Sequence, residues 1–304
     1  MVSEIQVDIE TFQRNTSLWE EVNFGSRADA LDYLGFCVID RIESLLQLSG
    51  SPPGLPALKQ QAENIKSQLE AIDVALFERL RVNIRSGRCQ GITLLNLINT
   101  YLKNDLSNPS VSLVIGYDNL DLFTNGLFPL QALPVITQER EPDMIYYQKT
   151  PARIILQLVA NAKFTDEDVF YDLGSGLGHV CILVNLLSGA NAKGIEIEPA
   201  YCTYAQVWAA DLNLSRVAFI CEDAHAANCS DGTVFFLYTP FEGRLLHEVL
   251  DKLRVLSGHK RIRVFTYGPC TDYIARQSWL TGVAQVSNFV DQLGEFCSYP
   301  TDNQ

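Results

Sequence analysis

The chain has 304 residues, 47% of them hydrophobic and 19% charged, which fits one large globular domain or two smaller ones. A formal net charge of -13 argues against general nucleic-acid binding, because that affinity rests on neutralising phosphates with Lys and Arg. No apolar run reaches the ~18 residues that would span a bilayer, and the acidic stretch Met1–Glu20 lacks the basic start and apolar core of a secretory signal, so no membrane partner is expected.

The 8 cysteines are scattered from Cys37 to Cys297 without a CxxC pair. Several, such as Cys181 and Cys221, sit inside apolar runs, where a thiol behaves as a small hydrophobe. A reducing, cytoplasmic setting is the expectation, with neither a disulfide framework nor a zinc site. His179, His225, His247 and His259 are dispersed, and none pairs with a carboxylate at a metal-ligand spacing.

The first part of the chain reads as helical. Leu31, Leu34, Val38, Ile42 and Leu45 fall on one face of a helix over 27–48. Ser49–Gly54 breaks it. A second helix spans roughly 57–85, with Leu58, Ile65, Leu69, Ile72, Leu76 and Leu80 along a stripe, and Ser86-Gly87 stops it. A third covers Thr93 to Leu102. Such stripes predict a helical bundle, and a homodimer surface is the sharper alternative. Residues 104–143 read as irregular, punctuated by Gly116, Gly126, Pro129 and Pro134.

From Thr150 the pattern alternates. Strands are predicted at 169–172, 192–196, 217–221, 234–237 and 261–267, with helices at 180–187, 200–210 and 245–256. That succession implies a parallel sheet covered on both faces. Two late strands, 283–287 and 294–299, are joined too closely for a helical crossover and predict an antiparallel hairpin. Residues 1–140 are therefore expected to form a helical region with an irregular linker, and 141–304 an α/β, Rossmann-like domain.

The informative stretch is Asp172-Leu173-Gly174-Ser175-Gly176-Leu177-Gly178, an apolar strand turning through three alternating glycines into a helix. Glycines let the backbone turn sharply and approach a ligand, and the helix N-terminus points free N–H groups at it. The spacing is GxGxG. A dinucleotide site needs GxGxxG, whose third glycine would fall at His179, so a nicotinamide cofactor is disfavoured. S-adenosylmethionine (SAM) carries no phosphate, and a strand-end carboxylate at Asp172 suits its cationic methionine end. The next strand ends at Glu196, placed to accept from ribose hydroxyls, while Glu198 begins the turn before Pro199. The third runs into Glu222-Asp223-Ala224, where Asp223 could accept from the adenine amino group, with nearby backbone N–H groups, Ala224 among them, reading the ring.

Together, the Asp172–Gly178 loop, Glu196 and Asp223 resemble the class I SAM-dependent methyltransferases. The resemblance implies a seven-stranded, mostly parallel sheet with the last strand antiparallel, and SAM as cofactor with S-adenosylhomocysteine as product. Thr165–Gly176, an acidic run before the apolar strand and the DLGSG loop, is most similar to the non-SET (Dot1-type) histone-lysine methyltransferases. By that similarity, Tyr147 and Thr150 in Tyr147-Gln148-Lys149-Thr150-Pro151 touch the methionine portion of SAM. The acidic chain departs from enzymes that hold nucleosomes on basic surface, so the histone substrate is not carried over.

In this class the acceptor site lies beside the end of the fourth strand, here Tyr238-Thr239-Pro240-Phe241. Amino-methylating enzymes place Asn/Asp-Pro-Pro-aromatic there. Only the Pro-aromatic half matches, and Tyr238 and Thr239 become the candidates for positioning the acceptor. His179 and His225 are the nearby imidazoles should a base be needed, although a structural role is the commoner one for a His at a helix start. The segments 143–147 and 116–119 are candidates to close over the acceptor. The expectation is a SAM-dependent methyltransferase, leaning to a small-molecule acceptor on net charge. A protein amino-group methyltransferase and a non-catalytic SAM-binding scaffold are the alternatives.

Overall fold

The computed structural model describes residues 2–48, 52–103, 117–128, 132–138, 143–283 and 291–299. The chain divides into two compact units. One comprises Met1–Asn83, Leu95–Asn108 and Tyr117–Pro129, and the other Ile84–Leu94, Pro109–Gly116 and Leu130–Gln304.

The first unit is helical. Helix α1 (Val2–Arg14) leads through a 3-10 turn (Thr16–Trp19) into α2 (Phe24–Tyr33). A π-helical stretch, Leu34–Ile39, continues directly into α3 (Asp40–Leu46). The single helix expected over 27–48 thus contains a wide turn, which re-aims its buried face so that Leu34, Val38, Ile39 and Ile42 all enter the core. Helix α4 (Leu55–Arg85) buries Leu55, Ala62, Leu69 and Leu76, one residue per heptad, and the first three share a core with Ile5, Ile9, Leu34 and Ile42. Helix α5 (Ile92–Leu102) follows. Helix α6 (Asn119–Gly126) was expected to be irregular chain. Asp118 starts it with a capping box: its side chain accepts from the Leu120 and Asp121 N–H groups, and Asp121 accepts from the Asp118 N–H. Gly126 closes α6 against the Phe77 ring, where a Cβ would lie 2.2 Å from the ring atoms. Of the segment 116–119, Gly116 lies outside the described residues, and Asp118 and Asn119 are spent on this helix start.

Arg27 is the polar pin of this unit. It is 0% exposed, yet all five of its donors have work. Its guanidinium reaches Asp73 at 2.6 Å and donates to the carbonyls of Leu18, Glu20 and Glu21.

In the second unit, α7 (Ala152–Ala162) buries Ile154, Ile155 and Leu158 and ends at Lys163 in the left-handed region. Then come β1 (Val169–Leu173), α8 (His179–Ser188), β2 (Asn191–Glu196), α9 (Pro199–Asp211), β3 (Val217–Cys221), β4 (Val234–Leu237), α10 (Gly243–Ser257) and β5 (Arg263–Thr266). A short helix α11 (Cys270–Ala275) precedes β6 (Leu280–Gly282) and β7 (Gly294–Ser298). The sheet is seven-stranded in the order β3-β2-β1-β4-β5-β7-β6. Strands β1 to β5 pair in parallel, while β7 runs antiparallel to β5 and to β6. This is the expected Rossmann-like sheet with an antiparallel last strand. The late hairpin forms between β6 and β7: Val283, just after β6, donates its N–H to the Glu295 carbonyl at 2.9 Å, and the rest of the strand expected at 283–287 lies outside the described residues.

The order reverses between β1 and β4, and side chains at the C-terminal ends of these strands converge there, the usual place for a ligand in an open α/β sheet. Arg27→Ala would strand Asp73 and three carbonyls together. Urea unfolding of the helical unit is expected to show a loss of about 3–5 kcal/mol.

Candidate active site

Strand β1 ends inside the sheet, with Asp172 beside Gly194 of β2 and Phe236 of β4 in register. The turn that follows is held by backbone bonds. The N–H groups of Gly174 and Ser175 both donate to the Ile195 carbonyl at 2.9 Å, and the Gly176 N–H donates to Glu196 Oε2 at 2.7 Å. Gly174 and Gly176 adopt φ of 88° and 52°, a region that L side chains rarely occupy. Their missing side chains also leave room for other chain segments. A Cβ at Gly174 would sit 2.3 Å from Pro240, and one at Gly176 would sit 2.2 Å from the Tyr147 ring. Gly178 forms the N-cap of α8. Of the four turn residues expected at the ligand, Gly174 and Ser175 line the cleft, whereas Gly176 and Gly178 do not: their space is filled by protein, Tyr147 over one and Phe219 and Ala205 over the other.

The cleft at this switch point brings together Tyr147, Thr150, Asp172, Gly174, Ser175, Glu196, Asp223, Ala224, Tyr238 and Thr239. Its electrostatics are those of a buried acidic floor. Asp172 is 3% exposed, and burial together with the Glu196 charge pushes its carboxyl up to about 8. Burial also raises Glu196, against the N–H donors of Glu198 and Gly176 that favour its charged form. Asp223 pairs with His225 at 2.8 Å and also accepts from the His225 N–H.

His179, at the start of α8, lies edge-on to Trp208 with ring centroids 5.1 Å apart, and its Nδ1 is 3.4 Å from Tyr147 Oη. Burial drives its pKa well below the usual histidine value, with the Lys149 charge adding to the effect. A ring so reluctant to take a proton is poorly suited to be the base for which it was a candidate.

The opposite wall is the turn after β4. Thr239 has φ of 40°, unusual for a residue with a Cβ. Its hydroxyl donates to the Tyr267 carbonyl and accepts from the Cys270 N–H, so it braces the turn. Tyr238 donates to Gln148 Oε1 at 3.2 Å and packs against Tyr267, with ring centroids 4.8 Å apart. Met144, Tyr146, Phe241 and Leu245 complete an apolar and aromatic surface around them. Segment 143–147 is tied to this turn: Ile145 donates to the Pro240 carbonyl, and Met144 bridges Phe241.

Gln148, Tyr201, Ile136 and Gln138 line the cleft without having been expected there, and Glu198 does far more than begin a turn. Gln148 stands inside the Tyr147–Pro151 motif and was within reach of sequence reasoning. Residues 136 and 138 come from irregular chain with no local signal.

Residues 143–255 match the family model of the histone methylation protein DOT1. The second unit thus carries a region similar to that family, on a seven-stranded sheet with an antiparallel last strand. No curated protein matches the chain. Among solved structures, an RNA methyltransferase from Salinibacter ruber in complex with S-adenosyl-L-homocysteine aligns at 22% identity over 52% of this chain and 97% of its own, with a TM-score of 0.39. A SAM-dependent O-methyltransferase from Thermotoga maritima aligns at 14% identity over 52% of this chain and 69% of its own, with a TM-score of 0.39. Precorrin-6y C5,15-methyltransferase from Geobacter metallireducens aligns at 15% identity over 52% and 93%, with a TM-score of 0.37. SAM is the cofactor expected from the sequence. The residues present suit it: carboxylates to meet an ammonium and hydroxyls, and a glycine turn with Ser175 Oγ buried and without a hydrogen-bond partner among the described residues.

The Asp172 carboxyl titrates higher in the fold than in an unfolded chain. Its stabilising contribution is therefore complete below about pH 4 and is lost as pH rises through about 8. Melting temperatures of the cofactor-free protein should fall across that window, and Asp172→Asn should flatten the fall.

Proposed function

We propose that this domain transfers the SAM methyl group to an amine nitrogen that docks uncharged, and that the amine belongs to a protein side chain. The observation that carries the reading is the character of the cleft. Its described lining holds five carboxylates, Asp172, Glu196, Glu198, Glu222 and Asp223, and no Lys or Arg. Such a site repels phosphate and carboxylate acceptors and concentrates amines near its mouth. The DOT1 match, a family named for histone methylation, favours a polypeptide amine over a free small molecule.

SAM, when bound, supplies a methyl carbon already activated by its sulfonium. Asp172 meets the methionine ammonium, with Thr150 and Tyr147 along the same portion. Glu196 retains lone pairs for ribose hydroxyls beyond the two N–H groups it already accepts. Asp223 and the Ala224 N–H flank the adenine. Tyr238, held by its bond to Gln148 at the edge of the cleft, is the side chain that orients the acceptor nitrogen toward the methyl group. The apolar wall of Met144, Phe241 and Leu245 excludes water and favours the neutral amine, which leaves its proton in solvent before docking.

Methyl-labelled SAM incubated with basic proteins, free amines and hydroxylated metabolites tests this reading. Label on protein lysine supports it. Label on free amines alone moves the acceptor to a small molecule, label only on oxygen overturns it, and no transfer with tight SAM binding indicates a scaffold. With an accepted substrate, Tyr238→Phe should lower kcat roughly tenfold with the KM for SAM unchanged, the size of one lost hydrogen bond. Tyr147→Ala should instead weaken SAM binding in calorimetry.

A further inference from the structure

Glu198 makes more polar contacts than a helix cap requires. It is 6% exposed and caps α9 by accepting from the Ala200 N–H at 3.0 Å. The same carboxylate accepts three more bonds from chain sixty residues away: the Thr137 N–H at 3.0 Å, the Thr137 hydroxyl at 2.7 Å and the Gln138 N–H at 3.0 Å. These donors hold its pKa below the usual carboxylate range, against the burial that would raise it.

The segment so held has no regular structure over 132–137. Its Leu133 and Val135 side chains stand in solvent, 73% and 84% exposed, so packing contributes little at those positions. Its other side reaches the cleft: Ile136 and Gln138 line the same cavity as Asp172, Glu196 and Ile197. One side chain therefore ties the end of β2, the start of α9 and an irregular strap into a single wall of the site.

We propose that Glu198 is a positioning residue that latches residues 136–138 along the cofactor cleft, so that release of SAM requires this carboxylate to let go of Thr137 and Gln138. The inference rests on the reading of the cleft as the SAM site. It assigns Glu198 no direct contact with the cofactor: its bonds are committed to N–H and O–H donors of the strap and the helix.

The dissociation rate of SAM from the full chain tests it. Glu198→Asp keeps a carboxylate able to cap α9 but is one methylene too short to hold the strap as well. Thr137→Val removes one of the strap bonds and leaves the cap untouched, so the test survives a folding defect in the first variant. Dissociation should quicken about tenfold in Glu198→Asp, near the scale of a lost hydrogen bond to a charged group, and about threefold in Thr137→Val, the scale of an ordinary one. The KM for SAM should rise while kcat falls by no more than about twofold. The melting temperature of cofactor-free Thr137→Val should stay within about one degree of wild type, as a purely structural role would not allow. Unchanged dissociation in both variants, with the wild type binding SAM normally, overturns the latch. A wild-type protein that binds no SAM overturns the underlying reading of the cleft instead.

Discussion

The site is organised around a carboxyl group that the fold makes expensive to ionise. Asp172 closes a central strand, flanked in register by Gly194 and Phe236, and solvent barely reaches it. Glu196, from the neighbouring strand, adds a like charge. Two acids placed so close in a dry setting favour the neutral form of at least one, and a cation beside them reverses that preference. The glycine turn, the N–H groups aimed at Ile195 and Glu196, and the reversal in strand order are the means by which the chain brings this pair to one spot. A cation is therefore the kind of ligand such a pair would favour, and the proposed sulfonium compound with its ammonium group fits that demand.

The turn after β4 is mechanically joined to this centre. Pro240 fills the space beside Gly174, Tyr147 fills that beside Gly176, and the Ile145 N–H donates to Pro240. A side chain at either glycine would push the β4 turn or the Tyr147 segment out of place. Thr239, in a left-handed conformation and bonded on both sides, fixes the direction in which Tyr238 leaves the strand. The glycine turn, the Tyr147 segment and the turn after β4 are thus one packed unit, which would suit the proposed methyl transfer, whose main demand is alignment.

Much of this was legible before any coordinates, because the deciding signals are local. The strand-then-glycine pattern at 169–178 and the strand-end acids at Glu196 and Asp223 are short-range consequences of βα geometry. So is the sheet itself, since five strands fall where apolar runs alternate with helical stripes. What escaped notice depends on distant partners. Helix α6 is short, and Asp118 reads as a cap only once Asp121 is seen to answer it. The π-helical stretch at 34–39 has no signature in an apolar stripe. Glu198 resembled any acid before a proline, because the residues that give it meaning, Thr137 and Gln138, lie in chain without periodicity. The lowered pKa of His179 follows from burial and the Lys149 charge, in a setting where Trp208 lies edge-on to the ring from another helix.

The most direct measurement is calorimetric titration of SAM near pH 7 in two buffers of different ionisation heat, for the wild type and Asp172→Asn. A carboxyl that titrates near 8 when free and is ionised by a bound ammonium must shed its proton, so the wild type should release about one proton on binding and the variant close to none. Binding by the wild type with no proton released, or no binding at all, would contradict the role given to Asp172.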